Sequence, residues 1–310
     1  LGLRAPVPLD GGILPVTVET IPIVSQEQWH AERAKDVTST QVAALFGCNP
    51  YLTHLELWHQ KATGYVEEFD NNDRVRWGNR LEAAIAAGVV EDWHLSNLRR
   101  VTDYRRLPDL KLGASFDFQA VDMDANVALL EIKNVDAYEF REKWSGEGET
   151  LLAPAHIELQ VQTQLMVHPA DYAILAVLVG GNQMHTVVRE RDTEVQDEIC
   201  RRVAAFWTSV TNGTPPTPDY ARDAELLLSH VYARTDGHEI EADAETAALI
   251  ARWLEAKSIA ETVKPLQAQI AERVGTASKV RMPNGLLNCA ANKNGVRSFR
   301  YYPNKETTNV

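Results

Sequence analysis

The sequence predicts an α/β (α+β) fold in which a central mixed β-sheet is flanked by helices. Short apolar or alternating runs bounded by Gly, Asp and Asn recur through the middle of the chain, as is typical of strands. Longer segments with apolar residues at helical spacing alternate with them. The chain has 310 residues and is 45% hydrophobic, which is enough to bury a sizeable core. A chain of this length has room for one large domain or two.

Two capping boxes predict helices near the N-terminus, after an arm of residues 1–24 that carries one strand near residues 13–23. Ser25 and Thr53 are each followed three residues later by Gln or Glu, and this spacing is typical of a helix start. The second of these helices is expected to end at Gly64, because glycine readily adopts the left-handed conformation that follows a helix.

The central part of the chain alternates helix and strand patterns. The further predicted helices cover residues 40–46, 72–93, 154–167 and 193–212. The predicted strands cover residues 101–107, 112–120, 127–132, 172–179 and 183–188. The last two strands flank Gly180, Gly181 and Asn182, which favours a hairpin.

The C-terminal part has a different composition. Residues 213–240 begin with a proline-rich stretch that predicts a linker or arm, and residues 241–310 predict a helical extension with a basic, β-rich end. Seven Lys or Arg and one Asp or Glu lie from Arg273 to the end, although the whole chain has a net charge of −12. This end is suited to contact with DNA or with another subunit, and the sequence leaves both open.

Two acidic residues and a lysine lie on neighbouring predicted strands. Glu131 and Lys133 are two residues apart, so strand geometry places them on the same face. Asp117 lies in the preceding strand segment, across a polar turn over residues 122–126 that favours a hairpin. If the two strands pair, the three side chains converge.

This cluster has the chemistry of metal-assisted phosphodiester hydrolysis. Two carboxylates are hard oxygen ligands suited to Mg²⁺, which keeps several waters and shares its remaining positions with phosphate. A bound cation polarises the phosphoryl oxygen and acidifies a water. Two roles are open to Lys133: preparing that water, or neutralising charge in the transition state.

Composition argues against several other classes of protein. Cys48, Cys200 and Cys289 are far apart and form no CxxC pair, which fits a reducing cytoplasm and disfavours structural zinc or an iron–sulfur cluster. The sequence has no apolar run long enough to cross a bilayer and no signal peptide of basic then apolar type. We therefore expect a cytoplasmic protein without a membrane partner.

A series of short motifs carries a resemblance to a known family. In chain order the motif residues are Trp29, His30, Arg33, Thr40, Trp77, Gly78, Glu82, Ser115, Asp117, Glu131, Lys133, Gln160, Val161, Gln162, Glu190, Arg191 and Asp192. In this order and spacing the chain resembles the lambda-exonuclease-like, YqaJ-type viral recombinase family of phage DNA nucleases. That family is a branch of the PD-(D/E)xK nuclease superfamily, and the resemblance covers residues 29–192.

The resemblance implies a PD-(D/E)xK restriction-endonuclease-like core over residues 25–212. It further implies a phage- or prophage-encoded 5′-to-3′ exonuclease that works in the cytoplasm of a bacterial host. Such an enzyme resects linear double-stranded DNA and leaves 3′ single-stranded tails for recombination by a single-strand annealing protein. Relatives form homotrimer or homotetramer rings around DNA, so the same assembly is expected here.

The resemblance also implies a ligand set for the metal. Asp117 and Glu131 would bind Mg²⁺, with the backbone carbonyl of Ile132 as a third ligand, and Mn²⁺ would substitute. Glu82 would hold the metal or its waters.

Other residues receive roles in handling water and DNA. Lys133 would serve the attacking water, and Gln160 would orient that water or the scissile phosphate. Arg33 would bind the DNA 5′-phosphate together with the hydroxyl of Thr40, since a guanidinium suits a terminal phosphate. Gln164 lies one turn after Gln160, and we expect it to contact the DNA backbone.

The chain departs from the family pattern around the first acid. Relatives have Ser-Pro-Asp-Gly, whereas Phe116 and Phe118 flank Asp117 here. Three alternatives remain: a PD-(D/E)xK endonuclease with the same metal chemistry, a Cas4-like nuclease, and a non-catalytic DNA-end-binding protein of the same fold. The Cas4-like alternative needs four cysteines, and the chain has three. The complete acid–acid–lysine set disfavours the last.

Overall fold

The computed structural model describes residues 17–64 and 73–304 and divides into two compact units, the first ending at Arg234 and the second beginning at Thr235. Its helices are α1 (Gln26–Ala34), α2 (Val42–Leu45), α3 (His54–Thr63), α4 (Asp73–Asp92), α5 (Ala137–Lys143), α6 (Ala155–Val167), α7 (Thr193–Asn212), α8 (Ala224–Leu226) and α9 (Ala244–Val274). Its strands are β1 (Glu19–Pro22), β2 (Val37–Thr38), β3 (Ser96–Arg100), β4 (Asp103–Leu107), β5 (Leu112–Ala114), β6 (Phe118–Val121), β7 (Val127–Val135), β8 (Tyr172–Val179), β9 (Gln183–Arg189), β10 (Lys279–Met282), β11 (Gly285–Asn288) and β12 (Arg300–Pro303).

The first unit is organised around a five-stranded mixed sheet of order β3-β6-β7-β8-β9. β7 and β8 are parallel, and every other neighbouring pair is antiparallel. The parallel pair requires a crossover, which α5 and α6 provide. A mixed sheet with helices on its faces confirms the predicted fold class.

Two hydrophobic clusters lie on opposite faces of this sheet. The side chains of β7 alternate, so that Leu129 joins the larger cluster with α2, α6 and α7, whereas Leu130 joins a smaller cluster with α4. By the same alternation, Glu131 and Lys133 lie on the face covered by α6. The sheet therefore presents these two side chains to that helix.

A second sheet of the first unit has the order β1-β4-β5-β2. The chain leaves this sheet at the end of β5 and enters the five-stranded sheet at the start of β6, with residues 115–117 between them. The prediction of one strand over residues 112–120 was therefore wrong, because the segment contributes to two sheets. Asp117 lies at the point where the chain passes from one sheet to the other.

Local signals explain most helix ends. The Thr53 hydroxyl accepts from the Glu56 N–H while the Glu56 carboxylate accepts from the Thr53 N–H, and Gly64 ends α3 in the left-handed conformation. The Ser25 hydroxyl accepts from the Gln28 N–H as predicted, but the Gln28 side chain accepts from Val24 instead of returning to Ser25.

Several predicted elements match the structure and others do not. α7 has the predicted bounds, the β8–β9 hairpin turns at Gly180 and Gly181 with positive φ, and α6 begins one residue after Pro154. β3 was missed because its Ser, Asn and Arg side chains give no apolar alternation. α5 was not among the predicted helices. The strand predicted near residues 13–23 is described only from residue 17, where β1 covers its end.

The second unit consists of α9 and an antiparallel sheet of order β10-β11-β12. α9 is one helix of 31 residues with Asp243 as its N-cap, and it includes Pro265. The three short strands lie within the end of the chain that was predicted to be β-rich. In the described ranges, no helix combines the length and apolarity needed to cross a membrane.

Candidate active site

The hairpin of β6 and β7 brings the two acidic residues together. Phe118 pairs with Leu130, and continuing this antiparallel register by one residue sets Asp117 beside Glu131 on the same face of the sheet. The Asp117 Oδ2 atom accepts a hydrogen bond from the backbone N–H of Ile132 at 2.8 Å. This bond fixes the aspartate against β7 where the β6 ladder ends.

Glu131 is almost completely buried, with 2% of its surface exposed, and both of its oxygens accept hydrogen bonds. Its Oε1 atom accepts from the Lys133 ammonium at 2.5 Å and from the Gln160 amide at 2.7 Å. Its Oε2 atom accepts from the Gln164 amide at 2.7 Å. A buried carboxylate needs such partners to remain charged, and α6 supplies two of the three.

Gln160 also connects the glutamate to the lysine. Its Oε1 atom accepts from the Lys133 ammonium at 3.2 Å, while its Nε2 atom donates to Glu131. Burial opposes the positive charge on Lys133, but the carboxylates of Glu131 and Asp117 outweigh burial and raise the pKa of the lysine. Without a metal the lysine therefore stays protonated and acts as a donor.

The electrostatics of Asp117 fit a site for a hard divalent cation. Burial, followed by the adjacent charge on Glu131, raises the pKa of Asp117 well above its ordinary value. Two like charges held this close are disfavoured until a cation lies between them. The backbone carbonyl of Ile132 lies on the same side of β7 as its N–H group, and therefore towards Asp117.

These three donors fit Mg²⁺ or Mn²⁺, which prefer carboxylate and carbonyl oxygens. In the part of the chain that the structure describes, no group of three or more His, Cys, Asp or Glu side chains is arranged to hold a metal. A cation at this position would therefore depend on the carbonyl and on water to complete its ligands.

Glu82 lies near this cluster but outside its hydrogen-bond network. It is on α4, which covers the opposite face of the sheet, and its carboxylate pairs with Arg100 at 3.0 Å. Its charge still acts on Asp117 and Lys133, since it raises the pKa of both. In this structure Arg100 is thus its direct partner, which the sequence did not indicate.

Arg33 and Thr40 meet in a second cluster. The guanidinium of Arg33 lies over the Trp29 ring, 4.2 Å from its centroid, and donates to the Thr40 hydroxyl at 3.3 Å. Burial lowers the pKa of Arg33, and within residues 17–64 and 73–304 this guanidinium pairs with no carboxylate. A desolvated cation without a carboxylate partner, beside hydroxyl groups, is suited to a phosphate. Lys61, which the sequence analysis missed, donates to the carbonyl of Arg33 at 3.1 Å.

Ser115 joins the two clusters. Its hydroxyl accepts from the Trp29 indole at 2.9 Å and from Arg33 at 3.5 Å, while its carbonyl accepts from the Gln164 amide at 3.1 Å. Gln164 in turn donates to Glu131. Arg33 is therefore linked to the acidic cluster through two residues, although 98 positions separate residues 33 and 131 in the sequence.

The position of Gln164 corrects one prediction. The side chain is 1% exposed and is held between Glu131 and Ser115. A DNA phosphate does not reach a side chain so deeply buried, so Gln164 positions Glu131 instead of contacting the DNA backbone. Its Oε1 atom is also buried without a hydrogen-bond partner in the described part of the chain.

The motif residues Gln162, Glu190, Arg191 and Asp192 make structural contacts. Gln162 faces away from the site and bonds the carbonyl of Glu190 and the N–H of Asp192. Arg191 donates to the carbonyls at the end of α6, and Asp192 is the N-cap of α7. These hydrogen bonds therefore hold α6, the helix that carries Gln160 and Gln164, against the end of β9.

Comparison with known proteins confirms the family resemblance. Residues 28–173 match the YqaJ-like viral recombinase domain. The chain is 30% identical over 257 residues to the uncharacterized protein YqaJ of Bacillus subtilis (strain 168), an alignment that covers 80% of this chain and 76% of the relative.

Solved structures show more distant similarity. An alkaline exonuclease (LHK-Exo) from Laribacter hongkongensis aligns with a TM-score of 0.47 and 22% identity, covering 66% of this chain and all of that one. A phage-related exonuclease from Haemophilus somnus 129PT aligns with a TM-score of 0.36 and 14% identity, covering 62% of this chain and 88% of that one.

Proposed function

Because the chain belongs to the YqaJ-like viral recombinase family, we propose that it is a metal-dependent 5′-to-3′ exonuclease acting on linear double-stranded DNA. The observation that carries this proposal is the link through Ser115 between an acid–acid–lysine cluster and Arg33, which pairs with no carboxylate among the residues that the structure describes. The first cluster supports phosphodiester hydrolysis, and the second supports recognition of a terminal phosphate.

The residues of the cluster divide the chemistry between them. Asp117, Glu131 and the Ile132 carbonyl would hold Mg²⁺, which when bound acidifies a water and stabilises charge on the phosphate. Lys133 and Gln160 are held by Glu131 with their polar groups beside it. They orient the attacking water and offset the negative charge that develops in the transition state.

The second cluster supports the polarity of digestion. A terminal 5′-phosphate carries more negative charge than an internal phosphodiester and exposes more oxygens to a guanidinium fork. Ser115 precedes Asp117 by two residues, so their Cα atoms are at most about 7 Å apart. A 5′-end held at Arg33 would therefore present a nearby phosphodiester bond to the acidic cluster, so that short products leave one at a time.

The net charge of −12 also bears on how DNA is retained. An acidic chain has little general affinity for DNA, so retention by a ring of three or four subunits suits it better than a broad cationic surface. The 3′ tails produced would be the substrate of a single-strand annealing protein.

The test is digestion of end-labelled duplex DNA that carries either a 5′-phosphate or a 5′-hydroxyl, with Mg²⁺, Mn²⁺ or EDTA. We expect mononucleotide products from linear duplex with either metal and none with EDTA. Glu131→Gln should abolish digestion, since it removes a ligand charge. Arg33→Ala should reduce digestion of phosphorylated ends by about 100-fold, as expected for loss of a charge-assisted contact, and should have little effect on hydroxyl ends.

The matched control is Arg201→Ala, since Arg201 is an exposed arginine on α7 that pairs with Glu198. This variant should digest both kinds of end normally. An equal loss on both kinds of end in Arg33→Ala would contradict the phosphate role. Cleavage of closed circular duplex would indicate an endonuclease, and binding to ends without cleavage in either metal would indicate a non-catalytic end-binding protein.

A further inference from the structure

The three-stranded sheet of the second unit has one strongly cationic face. In its register Lys279 is opposite Asn288, which is opposite Arg300. Directly opposite residues in an antiparallel sheet, and residues two apart in one strand, share a face. Arg281 therefore lies beside Lys279, and Arg300 completes a set of three cations on one side of the sheet.

Acidic residues are scarce around these cations in the sequence. Residues 277–304 contain no Asp or Glu, and the three side chains are exposed. None of the three forms an ion pair in the part of the chain that the structure describes. The remaining arginine of this region, Arg297, instead donates to the carbonyls of Gly275 and Ala277. In a chain of net charge −12, such a surface attracts polyanions locally.

An exposed tyrosine lies on the same face. Tyr302 is opposite Leu286, in the row that also contains Arg281, and 49% of its surface is exposed. Tyr301 lies on the other face, where its hydroxyl donates to the carbonyl of Asn284 at 2.7 Å. The cationic face thus carries an aromatic ring with an accessible surface.

We propose that the face formed by Lys279, Arg281, Arg300 and Tyr302, here called the cationic sheet face, binds single-stranded DNA. Cations that follow a phosphate backbone, together with an aromatic ring for stacking, are the combination that recognises single-stranded nucleic acid. Duplex bases are already stacked on each other and do not offer their rings to a tyrosine. The preference for DNA over RNA rests on the proposed function, since the nuclease produces single-stranded DNA.

The test measures binding of the full chain to a short fluorescein-labelled oligo-dT by fluorescence anisotropy, in EDTA and over a range of NaCl concentrations. Because EDTA prevents digestion, the measurement is independent of nuclease activity. A chain that binds oligo-dT but never digests duplex DNA would therefore overturn the proposed function and not the cationic sheet face.

Two triple variants provide the comparison. Lys279→Gln/Arg281→Gln/Arg300→Gln removes the cations of the face, and Arg252→Gln/Lys257→Gln/Lys264→Gln removes the same charge from exposed positions on α9. We expect the first to weaken binding by about tenfold or more and to reduce the salt slope by about 2, for three phosphate contacts on a single strand. The second should leave both quantities unchanged.

A variant at the aromatic position separates stacking from charge. Tyr302→Ala should weaken binding by about fivefold or more without changing the salt slope, whereas Tyr302→Phe should bind normally. Melting temperatures equal to that of the parent chain show that each variant is folded.

Three results would overturn the proposal. The first is an equal loss in both triple variants, which would mean that only net charge matters. The second is no binding of oligo-dT by the parent chain, or no effect of the first triple variant. The third is a change of oligomeric state in that variant with unchanged oligo-dT binding, which would make the face a contact between subunits.

Discussion

Replacing Gln164 by leucine tests how the structure prepares Glu131 for a metal. The amide donates to Glu131 Oε2 at 2.7 Å and to the carbonyl of Ser115 at 3.1 Å. Leucine has nearly the same volume and fills the same buried space on α6, so packing is largely preserved. The substitution therefore removes the polar contacts and leaves the helix in place.

The magnitude follows from the two bonds that are lost. A hydrogen bond to a charged group contributes about 1.5–3 kcal/mol, which corresponds to about 10- to 150-fold in an equilibrium constant. Loss of a residue that orients a metal ligand costs about 10- to 100-fold in metal affinity or activity, which agrees with that range. The Gln164 Oε1 atom is buried and has no hydrogen-bond partner in the described ranges, so its removal offsets part of the cost to folding. We therefore expect the substitution to reduce the free energy of metal binding by more than it reduces the free energy of unfolding.

The assay is isothermal titration of the parent chain and of Gln164→Leu with Mn²⁺, combined with urea unfolding. The expected result is at least a tenfold weaker Mn²⁺ affinity. Gln162→Leu is the matched control, since it makes the same substitution on the same helix at a residue that contacts Glu190 and Asp192 instead. It should lower the free energy of unfolding and keep the metal affinity. Equal metal affinities in Gln164→Leu and the parent chain would refute the positioning role.

Two further predictions concern residues that support the site. Gly113→Ala should lower the free energy of unfolding, measured in urea, by about 1–3 kcal/mol, because a Cβ atom at this position would overlap the hydroxyl of Tyr104, which is completely buried. The control is Gly88→Ala on α4, where a Cβ atom would meet no other atom within 4 Å. This variant should be as stable as the parent chain or more stable. Burial, followed by the charge on Arg105, lowers the pKa of His168 to about 3, so its contribution to stability is complete above about pH 6.5 and is lost as the pH falls towards 3, by about 1.4 kcal/mol per pH unit. His168→Gln should remove that part of the pH dependence. The free energy of unfolding of the variant should therefore fall less between pH 7 and about pH 4.5 than that of the parent chain, and an equal fall in both proteins would contradict the prediction.

The sequence predicted those elements whose signals are local. Capping at Thr53, the glycine turn of the β8–β9 hairpin and the 20-residue α7 all depend on neighbours in the chain, and all are present. β3 was not predicted, because its side chains pack little and the strand is defined by its partner β6. Where a strand is held by pairing instead of burial, its own residues carry no pattern to detect.

The site was predictable in part for a similar reason. Spacing within a strand indicated that Glu131 and Lys133 share a face, and the hairpin turn indicated that Asp117 lies beside them. The two contacts that join the clusters, Gln164 with Ser115 and Ser115 with Arg33, connect segments that are 49 and 82 residues apart. Nothing local in the sequence encodes such contacts, and only the packing of α6 and α1 on the sheets creates them.

The departure from Ser-Pro-Asp-Gly has a physical explanation in the same segment. Phe116 and Phe118 are two residues apart, yet Phe116 is buried in the larger hydrophobic cluster and Phe118 in the smaller one on the opposite face. Phe116 packs edge-on against His168, and Phe118 lies beneath the guanidinium of Arg100. Proline and glycine would shape a turn through backbone preference, whereas here two aromatic side chains anchor the crossover between the sheets from both sides. Asp117 lies between the two anchors, so its position is set by core packing instead of by turn geometry.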